Sequence, residues 1–326
     1  MLLGSFFLFP SCIVPPPGSP SSSPLSRFAR ARAYLDSGYL DEAELELRHI
    51  LQLSDSSSEA GLSSAALAKV YGDLAFTLLA RSRLSEARDF FTRAIELCKG
   101  PSALLISLRC GLAELGYALG NLDFALREYG RAVDLIESGA VPQESFGSAD
   151  RAGVFRRISV LNYVLGDADT ALCYSKRALS LLWTFPQLKT HVRLLMALDR
   201  DRVALEFLKS IVSLYKDKTP AGILLDYSLC LYESGDRPLA RGAAMRVLSA
   251  ATSDYYDRIT ARILLLLLES GDRETLSERG EFLFSALRED LPTLCDGEDF
   301  DKYEYWPFAF HADAKSLLCR LCRGAG

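Results

Sequence analysis

The stretch Gly120-Asn121-Leu122-Asp123-Phe124-Ala125 decides the fold, because its chemistry recurs along the chain. Gly38-Tyr39-Leu40-Asp41-Glu42-Ala43, Gly166-Asp167-Ala168-Asp169-Thr170-Ala171 and Gly235-Asp236-Arg237-Pro238-Leu239-Ala240 repeat its order, and Gly271-Asp272-Arg273-Glu274-Thr275-Leu276 closes the series. Two looser copies fill the gaps: Ser82-Arg83-Leu84-Ser85-Glu86-Ala87 and Asp199-Arg200-Asp201-Arg202-Val203-Ala204. Glycine takes the left-handed conformation that ends a helix. The Asn or Asp after it accepts hydrogen bonds from the free N–H groups of the next helix. Pro238 suits a first helical turn, where no N–H partner is lost. The closing alanine lets two antiparallel helices approach, so each copy predicts helix, tight turn, helix.

The flanking residues supply the apolar faces. Four residues past the alanine stand Leu47, Phe91, Tyr129 and Leu208; seven past it stand Ile50, Ala94, Ala132, Ala178, Ile211, Val247 and Leu283. That spacing is one stripe of an α-helix. The preceding helix has its own, as in Leu74-Ala75-Leu78 and Leu112-Ala113. The turn positions 43, 87, 125, 171, 204, 240 and 276 lie 33 to 46 residues apart, and the two longest intervals contain polar loops at 54–58 and 139–149. This pattern resembles the tetratricopeptide repeat family, whose unit is a 34-residue helix–turn–helix. The resemblance covers residues 27–287 and implies an all-α fold: a right-handed superhelical solenoid of about seven units.

The ends are of different composition. No charged residue precedes Arg27, and residues 1–12 form an apolar, signal-like segment running to Phe9-Pro10-Ser11-Cys12. Its length matches the apolar core of a secretion signal, although the basic residues usual in front of one are missing. The segment resembles a bacterial lipoprotein signal, which implies lipid attachment at Cys12. Residues 13–26 are rich in proline and serine and read as an extended tether. Residues 288–326 carry Phe300, Tyr303, Tyr305, Trp306, Phe308 and Phe310. Terminal repeats need a cap, so this segment is expected to pack on the seventh unit or fold back into the groove, or else to bind another protein or a second copy of the chain.

Composition narrows the function. Hydrophobic residues make up 49 % of the 326 and charged residues 24 %, an ordinary globular balance with a formal charge of −5. A nucleic-acid binder usually shows a basic excess, so no nucleic-acid partner is expected. The eight cysteines contain one lone C-x-x-C, Cys319 to Cys322, and no paired zinc-like set. The acidic run 296–301 lacks the EF-hand alternation and its glycine at loop position six. His49, His191 and His311 form no motif. No catalytic, cofactor-binding or metal site is expected, and the chain reads as a non-enzyme.

In the tetratricopeptide family the first helix of each pair lines a concave face. In phase with the turn alanines, that implies a partner groove containing Tyr117, Tyr163 and Tyr232 eight residues before the alanine, Arg32 and Arg193 eleven before, and Arg156 and Lys189 fifteen before. Glu114 shares the phase of Arg32 and Arg193, so the groove is not uniformly basic. Tyrosines with basic groups suit a protein or peptide partner bearing acidic side chains; the alternative is core tyrosines beside a solvated basic face. The leading expectation is a scaffold tethered through Cys12, in a bacterial envelope facing the periplasm or exterior and serving assembly or transport. The alternatives are a cytoplasmic adaptor or co-chaperone-like protein with a disordered N-terminal tail, and a solenoid that holds a small ligand.

Overall fold

The computed structural model describes residues 23–56, 62–251 and 253–270, with positions 283 and 285. Cys12, most of the tether, the turn at 271–276 and the aromatic segment 288–326 lie outside the described residues. Among the described residues there are thirteen α-helices, one 3-10 turn and no strand. The chain divides into two compact units, Met1–Leu165 and Gly166–Gly326.

The N-terminal unit contains α1 (Pro24–Asp36), α2 (Leu40–Ser56), α3 (Ser64–Ala80), α4 (Leu84–Glu96), α5 (Ala103–Ala118), α6 (Leu122–Glu137) and α7 (Ser148–Val164). Each helix packs on the next, and α3 also touches α5. The C-terminal unit contains α8 (Ala168–Leu181), α9 (Phe185–Ala197), α10 (Asp201–Tyr215), the 3-10 turn Lys216–Lys218, α11 (Ala221–Glu233), α12 (Arg237–Ser249) and α13 (Tyr255–Ser270). Successive helices again pack together, and α11 touches both α9 and α13.

The recurring turn forms as its residues require. Gly38, Gly120, Gly166 and Gly235 all have positive φ, and in the looser copies Ser82 and Asp199 adopt it instead, at 59° and 54°. A hydrogen bond spanning five residues closes the turn: Tyr39 N to Tyr34 O, Arg83 N to Leu78 O, Asn121 N to Gly116 O, Arg200 N to Leu195 O and Asp236 N to Leu231 O, at 2.8–2.9 Å. These are the 6→1 bonds of a Schellman cap. The side chains of Asn121, Asp167 and Asp236 then accept from Phe124 N, Thr170 N and Leu239 N. A Cβ on Gly116 would lie 2.6 Å from Phe124 Cδ1, so glycine there sets how closely α5 and α6 approach.

Every stripe residue named four or seven past the turn alanine is buried. At ~1.5–3 kcal/mol for each fully buried Leu, Ile or Phe, these stripes are the main stabilising term. Two boundaries differ from the sequence reading. Helix α1 starts at Pro24, inside the stretch assigned to the tether: Ser23 caps it and proline costs nothing in a first turn. The insertion at 139–149 is more than a polar loop. It buries Val141 and Phe146, whose carbonyls accept from Arg151 at 3.2 and 2.9 Å.

Candidate functional site

The first helices of the N-terminal unit are α1, α3, α5 and α7. Arg32 on α1 lies 3.1 Å from Asp73 on α3. Arg157 on α7 lies 2.7 Å from Glu114 on α5. A rule emerges: the residue eleven before one turn alanine meets the residue fourteen before the next. At the joint between α3 and α5 the same two positions are Phe76 and Gly111. A Cβ on Gly111 would lie 2.8 Å from the Phe76 ring. Inside the C-terminal unit the rule returns, with Arg193 on α9 lying 3.1 Å from Asp226 on α11.

Of the sequence-derived groove residues, Arg32, Lys189 and Arg193 are therefore not free lining groups. Arg32 and Arg193 each face a carboxylate on the next first helix, and Lys189 lies 3.6 Å from Asp257 on α13, the next first helix after α11. The sequence reading did not identify these carboxylates as partners. Tyr117, Tyr163 and Tyr232 are half-buried. Met196, in phase with them, is core.

Arg156 differs from the other groove cations. It is half-buried on α7 and makes no hydrogen bond or ion pair with any described residue. Burial presses its pKa down, and the adjacent Arg157 adds to the effect, while Glu114 and Tyr129 offset it. Guanidinium remains charged nonetheless. Glu114 is already engaged by Arg157 and by the Tyr129 hydroxyl, which donates to it. Burial first, then Glu114, hold the Tyr129 phenol well above its ordinary pKa, so it stays a donor. Among the described residues, Arg157 is paired with Glu114, while Arg156 beside it has no hydrogen-bond or ion-pair partner. Tyr163 lies two turns further along α7, and Tyr117 nearly one turn beyond Glu114 on α5.

The described residues contain no group of three or more potential metal ligands. Cys98, Cys110, Cys173 and Cys230 are free thiols. Burial pushes the Cys110 thiol up to about 12, far from a reactive thiolate. No described helix is long and apolar enough to cross a membrane.

Several solved structures share this arrangement of helices. A tetratricopeptide repeat protein from Parabacteroides merdae superposes with a TM-score of 0.57 at 15 % identity, over 91 % of this chain and 98 % of that one. The pilF protein of Pseudomonas aeruginosa gives 0.51 at 14 % identity, over 74 % of this chain and all of that one. A signal-transduction ATPase with numerous domains from Pyrococcus horikoshii, which has a tetratricopeptide repeat sensor, gives 0.66 at 14 % identity. That match covers 88 % of this chain and 44 % of the ATPase. The fold is that of the tetratricopeptide repeat proteins. No protein-family model matches the sequence, and no curated protein does.

Proposed function

We propose that the chain is a non-enzymatic interaction scaffold that holds an acidic protein or peptide segment on its first-helix surface. The observation that carries this reading is Arg156, a partly desolvated cation without a described partner. A buried charge is costly unless paired, and an incoming carboxylate provides the bidentate match that guanidinium favours. Tyr117 and Tyr163 supply aromatic area nearby, and Arg and Tyr are the usual energetic anchors of interfaces. Arg32, of the same unit, is engaged with Asp73 and contributes to this surface only secondarily.

The test measures binding of peptides that differ only in having Asp/Glu or Asn/Gln. The acidic series is expected to bind, to weaken as salt screens the contact, and to be lost in Arg156→Gln. Equal binding of both series, or unchanged binding by Arg156→Gln, contradicts the reading.

Tethering belongs to the same proposal. The apolar run ending at Ser11-Cys12 and the proline-rich stretch after it support a lipid-anchored envelope protein, with residues 13–22 as spacer. At ~3.1 Å per residue, such a spacer holds the first helix roughly 30 Å from the anchor. Multiple acyl chains are needed for stable anchoring. Wild type should partition into detergent and Cys12→Ala should not. Recovery of the chain with Met1 retained in the soluble fraction contradicts this.

A further inference from the structure

A second polar cluster lies within the C-terminal unit, where α9, α11 and α13 meet. Lys189 and Arg193 are one turn apart on α9, Gly222 and Asp226 one turn apart on α11, and Asp257 lies in the first turn of α13. A Cβ on Gly222 would lie 2.7 Å from Lys189 Nζ and 3.3 Å from Asp257 Oδ2. The missing side chain is therefore what makes room for an ammonium.

That ammonium is loosely held. Its nearest carboxylate oxygen, Asp257 Oδ1, is 3.6 Å away, an ion pair without a hydrogen bond. It makes no hydrogen bond with any described residue, and about a third of the Lys189 side chain is exposed, 32 %. The carboxylates beneath are not exposed: the Asp226 side chain is 1 % and that of Asp257 8 % accessible. Asp226 Oδ1 accepts from Arg193 Nε, but its buried Oδ2 accepts from no partner. Burial, with Asp254 and Asp226 nearby, raises the Asp257 pKa against the pull of Lys189 and Arg193. Asp226 is paired with Arg193, and Asp257 with Lys189.

We propose that this niche over Gly222 is a subsite for a primary ammonium, that of a partner's lysine side chain, and that Lys189 holds it in reserve. The niche already accommodates the group in question. The stem that fills it is a long flexible chain which regains rotamer freedom on leaving. A planar guanidinium is too wide for a space the size of a methyl group, so lysine is favoured over arginine. The subsite prefers charge opposite to that of the Arg156 locality and stands independently of it.

The test vacates the niche. Lys189→Ala should melt below wild type, and n-butylammonium chloride should restore its Tm in a saturable way beyond sodium chloride of equal ionic strength. The Lys189→Ala, Gly222→Ala double variant, with the niche filled, should show no rescue. A short capped Gly-Ser peptide with one lysine should bind Lys189→Ala about tenfold tighter than its norleucine counterpart, with the preference reduced in wild type. If Lys189→Ala does not fold alone, recovery of helix on refolding in butylammonium, and not in sodium chloride, is the supporting result. Butylammonium no better than sodium chloride, or lysine and norleucine peptides binding alike, overturns the proposal.

Discussion

Arg32 and Arg156 both rise from first helices of the N-terminal unit, yet the fold uses them differently. Arg32 is tied to Asp73 on the next first helix, whereas Arg156 has no described partner. The same contrast runs through the hairpins. In the first and third repeats, a cation sixteen before the turn alanine pairs with a glutamate three past it: Arg27 with Glu46 at 3.0 Å and Arg109 with Glu128 at 2.7 Å. In the second repeat those positions are Tyr71 and Phe90, stacked with ring centroids 5.9 Å apart. The joints follow suit, ionic at Arg32–Asp73 and Glu114–Arg157 but aromatic at Phe76 over Gly111. Backbone geometry fixes which positions meet; it leaves open whether ions or rings meet there. Charge sign is free as well, since Glu114–Arg157 reverses the polarity of Arg32–Asp73.

The largest effect should come from the aromatic repeat. Phe91 is fully buried and meets Phe76 edge-on at 4.9 Å. Phe91→Ala should cost about 3–5 kcal/mol in urea unfolding. A loss under 1 kcal/mol would mean that the second repeat does not depend on its rings.

The better-buried ionic joint comes next. Glu114→Arg alone leaves two or more cations facing one another and should cost roughly 2–3 kcal/mol. Adding Arg157→Glu restores the pair in the other polarity and should recover most of that loss. Failure of the double variant to recover would break the claim that polarity is free.

Acid should act on the C-terminal unit through His191. At the position four past the alanine, where the first three repeats place Leu47, Phe91 and Tyr129, the fourth has Ser175. Its hydroxyl lies 2.8 Å from His191 Nδ1, and Phe207 meets the imidazole edge-on. Burial, then Lys176, lower the His191 pKa. The unfolded chain therefore binds the proton more readily than the folded one. Stability should be intact above pH ~6.5 and fall below it, by no more than about 1.4 kcal/mol per pH unit for this one group. His191→Phe should flatten the slope in that window; an unchanged slope would assign it elsewhere.

The exposed joint should respond least. Arg32→Asp should cost about 0.2–1 kcal/mol, with Asp73→Arg restoring it in low salt.

The sequence made the turns and stripes legible because they depend on local chemistry: left-handed φ, caps and 3.6-residue periodicity. Even Ser82 and Asp199, which lack glycine, could be placed from the alanines that follow them. The pairings were not legible. Arg32 and Asp73 are 41 residues apart, Arg193 and Asp226 are 33, and insertions of unequal length hide the common register. Nor does sequence separate Arg156 from Arg157. The two differ by one step of about 100° around α7, which brings one guanidinium onto Glu114 and leaves its neighbour unmatched. Val141 and Phe146 stand among polar neighbours in the sequence, yet both are buried and Arg151 donates to their carbonyls.

Comparing Arg156→Gln with Arg32→Gln tests the central claim most directly: cations at the joints serve the fold, and the unmatched cation serves the partner. Both variants should be titrated with the same Asp/Glu-rich peptide by fluorescence anisotropy and unfolded in urea. Arg156→Gln should weaken binding by about tenfold or more, equivalent to ~1.4 kcal/mol, with stability unchanged or raised. Arg32→Gln should leave binding nearly intact and lower stability slightly. Loss of binding in Arg32→Gln, with Arg156→Gln binding as wild type, would contradict the account.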